Sequence, residues 1–148
     1  MLYVLEGCDA TGKTTFAQEL KTRLEAEGKS PVVMHFGADI AQNKSAYRIF
    51  EKIIDRSQNQ DIIVDRFMHG QFVYQSAYER SITYNQLSVL ELKAHNCGAV
   101  FYLFEADPEV IQERLAERGE PMIDAKAIMK KYRELFKDSL VTPTIVTT

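Results

Sequence analysis

The chain has 148 residues, the length of one compact domain with one core. At 45% apolar and 26% charged residues it can bury a sizeable core and lacks the composition of a disordered segment. Eighteen Lys and Arg against 21 Asp and Glu give a net charge of −3, which argues against attachment to nucleic acid or membrane by overall charge; any bound anion must meet local cations.

In chain order, Leu2–Leu5 is the first apolar run with strand character. Gly7-Cys8-Asp9-Ala10-Thr11-Gly12-Lys13-Thr14 follows and matches G-x-x-x-x-G-K-[ST] between a predicted strand and a predicted helix, the context this phosphate loop requires. Glycines let the loop backbone curl so that its N–H groups and the helix dipole face a polyphosphate. Lys13 would reach the β and γ phosphates and Thr14 would offer its hydroxyl to Mg²⁺, with Gly7, Cys8, Asp9, Ala10, Thr11, Gly12 and Thr15 completing the nucleotide cradle. Phe16, Leu20 and Leu24 recur at spacing four and stop at Gly28, predicting an amphipathic helix with a glycine just past its end.

Pro31–Phe36 reads as the second strand, Ala46–Ile54 as a helix, and Ile62–Val64 as the third strand, leading into Asp65. Helices are expected over Gln71–Tyr78 and over Leu87–Leu92, the latter after an N-cap at Thr83. Ala99–Phe104 is the fourth strand. Asp107-Pro108-Glu109 starts a helix with a capping acid, a proline in the first turn and an acid at the positive end of the dipole. A last helix, Ala125–Phe136, precedes a short strand, Thr144–Val146. Continuous rather than alternating hydrophobicity means strands covered on both faces. The expected fold is therefore α/β: a three-layer P-loop NTPase fold with a five-stranded parallel sheet and helices on both faces, in a single domain over 1–148. Such sheets bind ligands at the carboxyl ends of their strands, which singles out Gly7–Thr15, His35–Asp39, Asp65–Phe67 and Glu105–Asp107.

Cys8 and Cys97 form no CxxC pair and have no His at ligand spacing, so neither a metal nor a disulfide scaffold is expected. Glu6 interrupts the first apolar run too early for a signal-peptide core, and no apolar run nears the ~20 residues of a membrane span. A cytoplasmic, reduced, soluble protein follows. The guanine-recognition stretch Asn-Lys-x-Asp is absent from the sequence, and no second ATPase motif set is visible, which leaves a small-molecule phosphotransferase.

Asp65 ends an apolar strand beside the loop, where its carboxylate can hold Mg²⁺ directly or through water; a strand-end cap or an ion pair with an Arg is the plain alternative. Arg66 is suited to grip an acceptor phosphate bidentately. Arg114 and Arg118 lie four apart on one predicted helix, where like charges cost ~0.2–0.5 kcal/mol, a cost that makes sense if the pair closes over phosphates. Their flanking acids, Glu113 and Glu117, fit a solvated charged helix equally well. Of the pair, Arg118 is the first choice and Arg114 the second.

These segments together resemble the thymidylate kinase-like group of nucleoside monophosphate kinases. Asp9 in Glu6-Gly7-Cys8-Asp9, the Asp65-Arg66-Phe67 triplet, Val73-Tyr74-Gln75 and the stretch from Asp107 through Arg114 to Glu120 fall in that family's order, covering Leu2 to about Phe136. The resemblance implies ATP and Mg²⁺ as cofactors and a small-molecule nucleotide, a deoxynucleoside monophosphate, as acceptor. No nucleic-acid or membrane partner is implied, and a homodimer is left open. It implies that Asp9 accepts a hydrogen bond from the sugar 3′-hydroxyl and that Tyr74 lies beneath the sugar and excludes a 2′-hydroxyl. It also implies that Phe67 stacks on the acceptor base, that Arg80 adds a phosphate or base contact, and that 114–124 forms the lid. Core packing is the alternative for Phe72, Tyr74 and Tyr78.

The chain departs from the family pattern in three places. His35-Phe36-Gly37-Ala38-Asp39 lacks the acceptor arginine, Pro121-Met122-Ile123-Asp124 replaces the lid's Asp-Arg, and the stretch between Lys13 and Arg66 is short. A compact, phage-type deoxynucleotide kinase fits these features. Two rivals stay open: a deoxynucleoside kinase using Asp39 or Asp65 as base, and a nucleotide-binding module without catalysis.

Overall fold

A computed structural model describes residues 1–36, 45–75 and 80–148. Five parallel strands form one sheet in the order β2-β3-β1-β4-β5. They are β1 (Leu2–Gly7), β2 (Val32–His35), β3 (Ile62–Asp65), β4 (Val100–Glu105) and β5 (Thr144–Thr147). Between them run α1 (Lys13–Ala26), α2 (Ala46–Arg56), the short α3 (Gly70–Tyr74), α4 (Tyr84–Asn96), α5 (Pro108–Glu117) and α6 (Ala125–Lys137). The expected order of strands and helices is the order found.

Side chains alternate across the pleat, so each central strand feeds two cores. Leu2, Val4, Ile62, Val64, Phe101 and Leu103 pack on one face against Phe50 and Ile54 of α2, Leu87 and Leu90 of α4, and Tyr132 and Phe136 of α6. Leu5, Ile63 and Phe104 point the other way, onto Ala17, Leu20 and Leu24 of α1. A third cluster joins Cys8 and Ala10 of the loop to Ile111 and Leu115 of α5. This double burial is the physical reason the strands read as continuous apolar runs.

Helix starts follow local chemistry. Thr83 and Gln86 form a reciprocal capping box on α4. The Asp107 carboxylate accepts the Glu109 amide at 2.9 Å, with Pro108 in the first turn of α5. Asp124 accepts the Ala127 amide at 3.1 Å at the start of α6. The helix expected over Gln71–Tyr78 is shorter: α3 ends at Tyr74, and Gln75 is already extended. Tyr78 and Asp39 lie outside the described residues. Among the described residues no helix is long and apolar enough to cross a membrane.

Candidate active site

The register places β1 between β3 and β4, with Leu5 opposite Asp65 and Gly7 opposite Phe104, so the loop leaving β1 emerges beside the end of β3. Gly7 has φ +142, and a Cβ there would sit 2.5 Å from the Phe104 carbonyl oxygen, so only glycine lets the strand turn here. Thr11 closes the loop from inside, its hydroxyl donating to the Cys8 carbonyl at 2.6 Å. Gly12 caps α1 without a side-chain hydrogen bond, and the first turn, Lys13-Thr14-Thr15-Phe16, carries no acid to compete for its N–H groups.

Lys13 is buried and donates to the Gly7 and Cys8 carbonyls at 2.9 and 2.7 Å. An ammonium has three protons, so one remains to point outward at an anion. Burial lowers the Lys13 pKa, against the opposing pull of Asp65. Burial also pushes the Cys8 thiol up to about 11, which makes it a packing residue, not a nucleophile.

At the end of β3, Asp65 Oδ2 accepts the Thr14 hydroxyl at 3.0 Å, while Oδ1 is buried with no hydrogen-bond partner among the described residues. His35, opposite Asp65 in the β2–β3 register, places Nδ1 at 3.7 Å from Oδ2. An unsatisfied carboxylate oxygen next to a threonine hydroxyl suits a hard divalent cation completed by ligand oxygens and water. The alternative reading of Asp65, an ion pair with an Arg, is not found among the described residues.

Arg66 turns to Asp9 instead, donating to Oδ1 at 2.6 Å, and its guanidinium lies 4.2 Å above the Tyr74 ring. The Tyr74 hydroxyl reaches the Gly7 carbonyl at 3.4 Å, and burial, then Asp9, raises its pKa. Asp9 and Arg66, read from sequence as two separate ligand contacts, are thus one ion pair, because a half-buried guanidinium takes the nearest carboxylate. A pocket of about 190 Å³ brings together Asp9, Lys13, Thr14, Asp65, Arg66 and Arg118.

The two lid arginines part company. Helix α5 ends at Glu117, and its C-cap Arg118 keeps helical geometry, its N–H donating to the Arg114 carbonyl at 3.2 Å, so the two share one face as expected but engage different partners. Arg118 walls the phosphate pocket, whereas Arg114 donates at 3.0 Å to the Ala10 carbonyl and at 3.0 Å to the Thr148 hydroxyl. Thr148 in turn donates to the Thr11 carbonyl at 3.1 Å. Arg114 is therefore a brace on the outer side of the loop.

One aromatic-side expectation is corrected. Phe67 has no exposed surface; its ring packs 5.0 Å from Phe50 and 6.0 Å from Phe36, so it belongs to the core and cannot stack on a base. Arg80 lies over Phe72 at 4.5 Å and Tyr84 at 5.2 Å, in a groove of about 760 Å³ between α3, α4 and α6 that Tyr74 also lines and that no residue of the phosphate loop reaches. His69 is buried, bonded to Glu91 at 2.9 Å and stacked on Phe136. Sequence reasoning passed over Glu6, a fully buried carboxylate that accepts the Phe67 amide. The signal was an acid inside an apolar strand.

No protein-family model matches the chain. It is 32% identical over 145 residues to the SPbeta prophage-derived uncharacterized protein YorR of Bacillus subtilis, covering 93% of this chain and 83% of that protein. It is 25% identical over 169 residues to a probable thymidylate kinase of Archaeoglobus fulgidus, covering 99% and 85%. The crystal structure of YorR in complex with phosphorylated GDP superposes with a TM-score of 0.81 at 28% identity, over 100% of this chain and 85% of that one. Thymidylate kinase from Ehrlichia chaffeensis, at 16% identity and a TM-score of 0.58 over 99% and 86%, shows the same fold. The chain belongs to the same family as YorR, and in sequence and fold it resembles the thymidylate kinase-like P-loop kinases.

Proposed function

We propose that the protein transfers the γ-phosphoryl group of ATP to the 5′-phosphate of a deoxynucleoside monophosphate. The observation that carries this reading is the Thr14–Asp65 contact at 3.0 Å, beside Lys13 and opposite Arg66, in one small pocket at the carboxyl edge of the sheet. Phosphoryl transfer needs little covalent help from the protein; positioning and charge neutralisation supply the catalysis. Lys13 and the loop N–H groups hold the donor phosphates. Arg118 faces the transferring group. Arg66 exchanges its Asp9 partner for the acceptor phosphate, and the freed Asp9 carboxylate takes the sugar hydroxyl, with Tyr74 as the floor under both. Thr14 and Asp65 would hold Mg²⁺, which neutralises charge on the phosphate oxygens when bound.

YorR, crystallised with phosphorylated GDP, supports including guanine nucleotides among the acceptors tested. The experiment is incubation with Mg-ATP and panels of deoxynucleosides and their monophosphates, thymine and guanine included, with ADP release as the readout. Turnover on monophosphates is expected. Turnover on nucleosides alone makes the protein a deoxynucleoside kinase, and ATP binding without turnover on either panel makes it a binding module.

A further inference from the structure

Glu6 lies between Leu5 and Gly7 in β1, where no solvent reaches it. A carboxylate is costly to bury unless it holds a partner, and its neighbours in the sheet show that an apolar side chain would pack there. Its Oε1 accepts the backbone N–H of Phe67, and Oε2 has no partner among the described residues. Burial raises its pKa, while His69, Phe67 N–H and Arg66 pull the other way.

The amide that Glu6 holds belongs to the residue following Arg66, and Arg66 has φ +65, a left-handed conformation that long side chains rarely adopt. On the other flank, the Arg66 N–H donates to the Leu5 carbonyl at 2.8 Å. Two consecutive β1 residues therefore pin the strained position from both sides. The surroundings accommodate the resulting path of the side chain: a Cβ at position 70 would sit 2.9 Å from Arg66 Cγ, so Gly70 leaves room for the stem, and Tyr74 supports the guanidinium at 4.2 Å. Strain of this kind persists only where the surrounding structure enforces it, and here it directs the guanidinium into the phosphate pocket.

We propose that Glu6 is a positioning residue: its hydrogen bond from the Phe67 amide holds Arg66 in the left-handed conformation and so aims the guanidinium at the acceptor phosphate. The proposal rests on the kinase reading for its functional half, because it assigns Arg66 to the acceptor. Its structural half is independent of any activity. The hydrogen bond of Glu6 comes from the Arg66–Phe67 segment and not from the loop or α1 that build the donor cradle, so its effect is expected on the acceptor side.

The test uses the full chain with ¹³C and ¹⁵N labels, as wild type, Glu6→Gln and Glu6→Met. In the wild type the Arg66 Cα and Cβ shifts should lie in the left-handed range and the Phe67 amide should exchange slowly with solvent. Glu6→Gln keeps an acceptor oxygen and should retain both signatures and the acceptor KM. Glu6→Met should lose both and raise the KM for dTMP or dGMP on the order of 10- to 100-fold, the scale of a misplaced binding group, while the ATP KM stays constant. Fast Phe67 exchange in the wild type, left-handed Arg66 shifts that persist in Glu6→Met, or a parallel rise in both KM values overturns the proposal. Should Glu6→Met not fold, the Phe67 exchange of the wild type and the Arg66 shifts of Glu6→Gln still decide it. A wild type that turns over no nucleotide defeats the kinase reading alone, and the shifts and exchange rates then judge the clamp separately.

Discussion

The proposed donor side and the proposed acceptor side of the pocket are built in different ways. The donor side is one continuous segment, Gly7 to Thr15, whose groups are fixed by contacts within the segment: Lys13 on the Gly7 and Cys8 carbonyls, and Thr11 on the Cys8 carbonyl. The acceptor side is assembled from distant pieces, with Asp9 from the loop, Arg66 after β3, Tyr74 from α3 and Glu6 from β1. A short motif can specify the first kind of site. The second depends on which side chains the fold brings together, and there spacing in sequence carries less information.

Substitutions on the two sides should therefore differ in size and in kind. The largest effect is expected for Lys13→Ala, which removes the loop's cation and should abolish transfer while circular dichroism shows the fold intact; retained turnover would contradict the donor assignment. Next, Asp65→Asn and Thr14→Val should each lower kcat by on the order of 10²-fold or more, measured over a Mg²⁺ titration, because both remove oxygen ligands or their orientation. In the core, outside both sides, Phe67→Ala should cost about 3–5 kcal/mol of stability in urea unfolding, as for other buried aromatic rings, and Phe67→Leu should leave acceptor preference unchanged. A shifted preference in Phe67→Leu would restore the ring to the binding site.

A smaller effect is expected outside both sides, at Arg114. Its part-buried, hydrogen-bonded brace on the Ala10 carbonyl should contribute about 1 kcal/mol, so Arg114→Ala should lower Tm slightly and leave kcat within reach of wild type. Arg118→Ala should lower kcat with little change in Tm, and the contrast between the two arginines is itself the check. The most subtle effect is on pH dependence. Burial raises the Glu6 pKa in the folded state, so the stability linked to its proton is present below the ordinary glutamate range and lost as pH rises through the folded value. Unfolding free energies of wild type minus Glu6→Gln, compared at acid and neutral pH, should show that loss in the wild type only.

Much of this molecule was legible in the chain itself. Periodicity and capping located the helices, because Thr83, Asp107 and Gly28 act on their immediate neighbours. Continuous apolar runs located the strands, because Leu2 and Leu5 feed opposite cores. The phosphate loop was legible for the same local reason. Phe67 was misread because its position beside Arg66 says nothing about the direction of its ring, which the Phe50 and Phe36 packing decides. The helical spacing of Arg114 and Arg118 was legible, but not that Arg114 bonds to the Ala10 carbonyl and the Thr148 hydroxyl, contacts more than thirty positions away. The Asp9–Arg66 pair joins residues 57 positions apart, beyond the reach of any local pattern. Glu6 was visible as an oddity, an acid in an apolar strand, yet its partner is a backbone amide, which no sequence displays.

The central claim is that a phosphoryl group moves from ATP to a nucleotide phosphate in this pocket. A single-turnover reaction with γ-labelled ATP, Mg²⁺ and an unlabelled deoxynucleoside monophosphate, separated by chromatography, tests it most directly. The account predicts label at the β position of a deoxynucleoside diphosphate, lost in Lys13→Ala. Label appearing only as free phosphate, or only on a monophosphate made from a nucleoside, would contradict it.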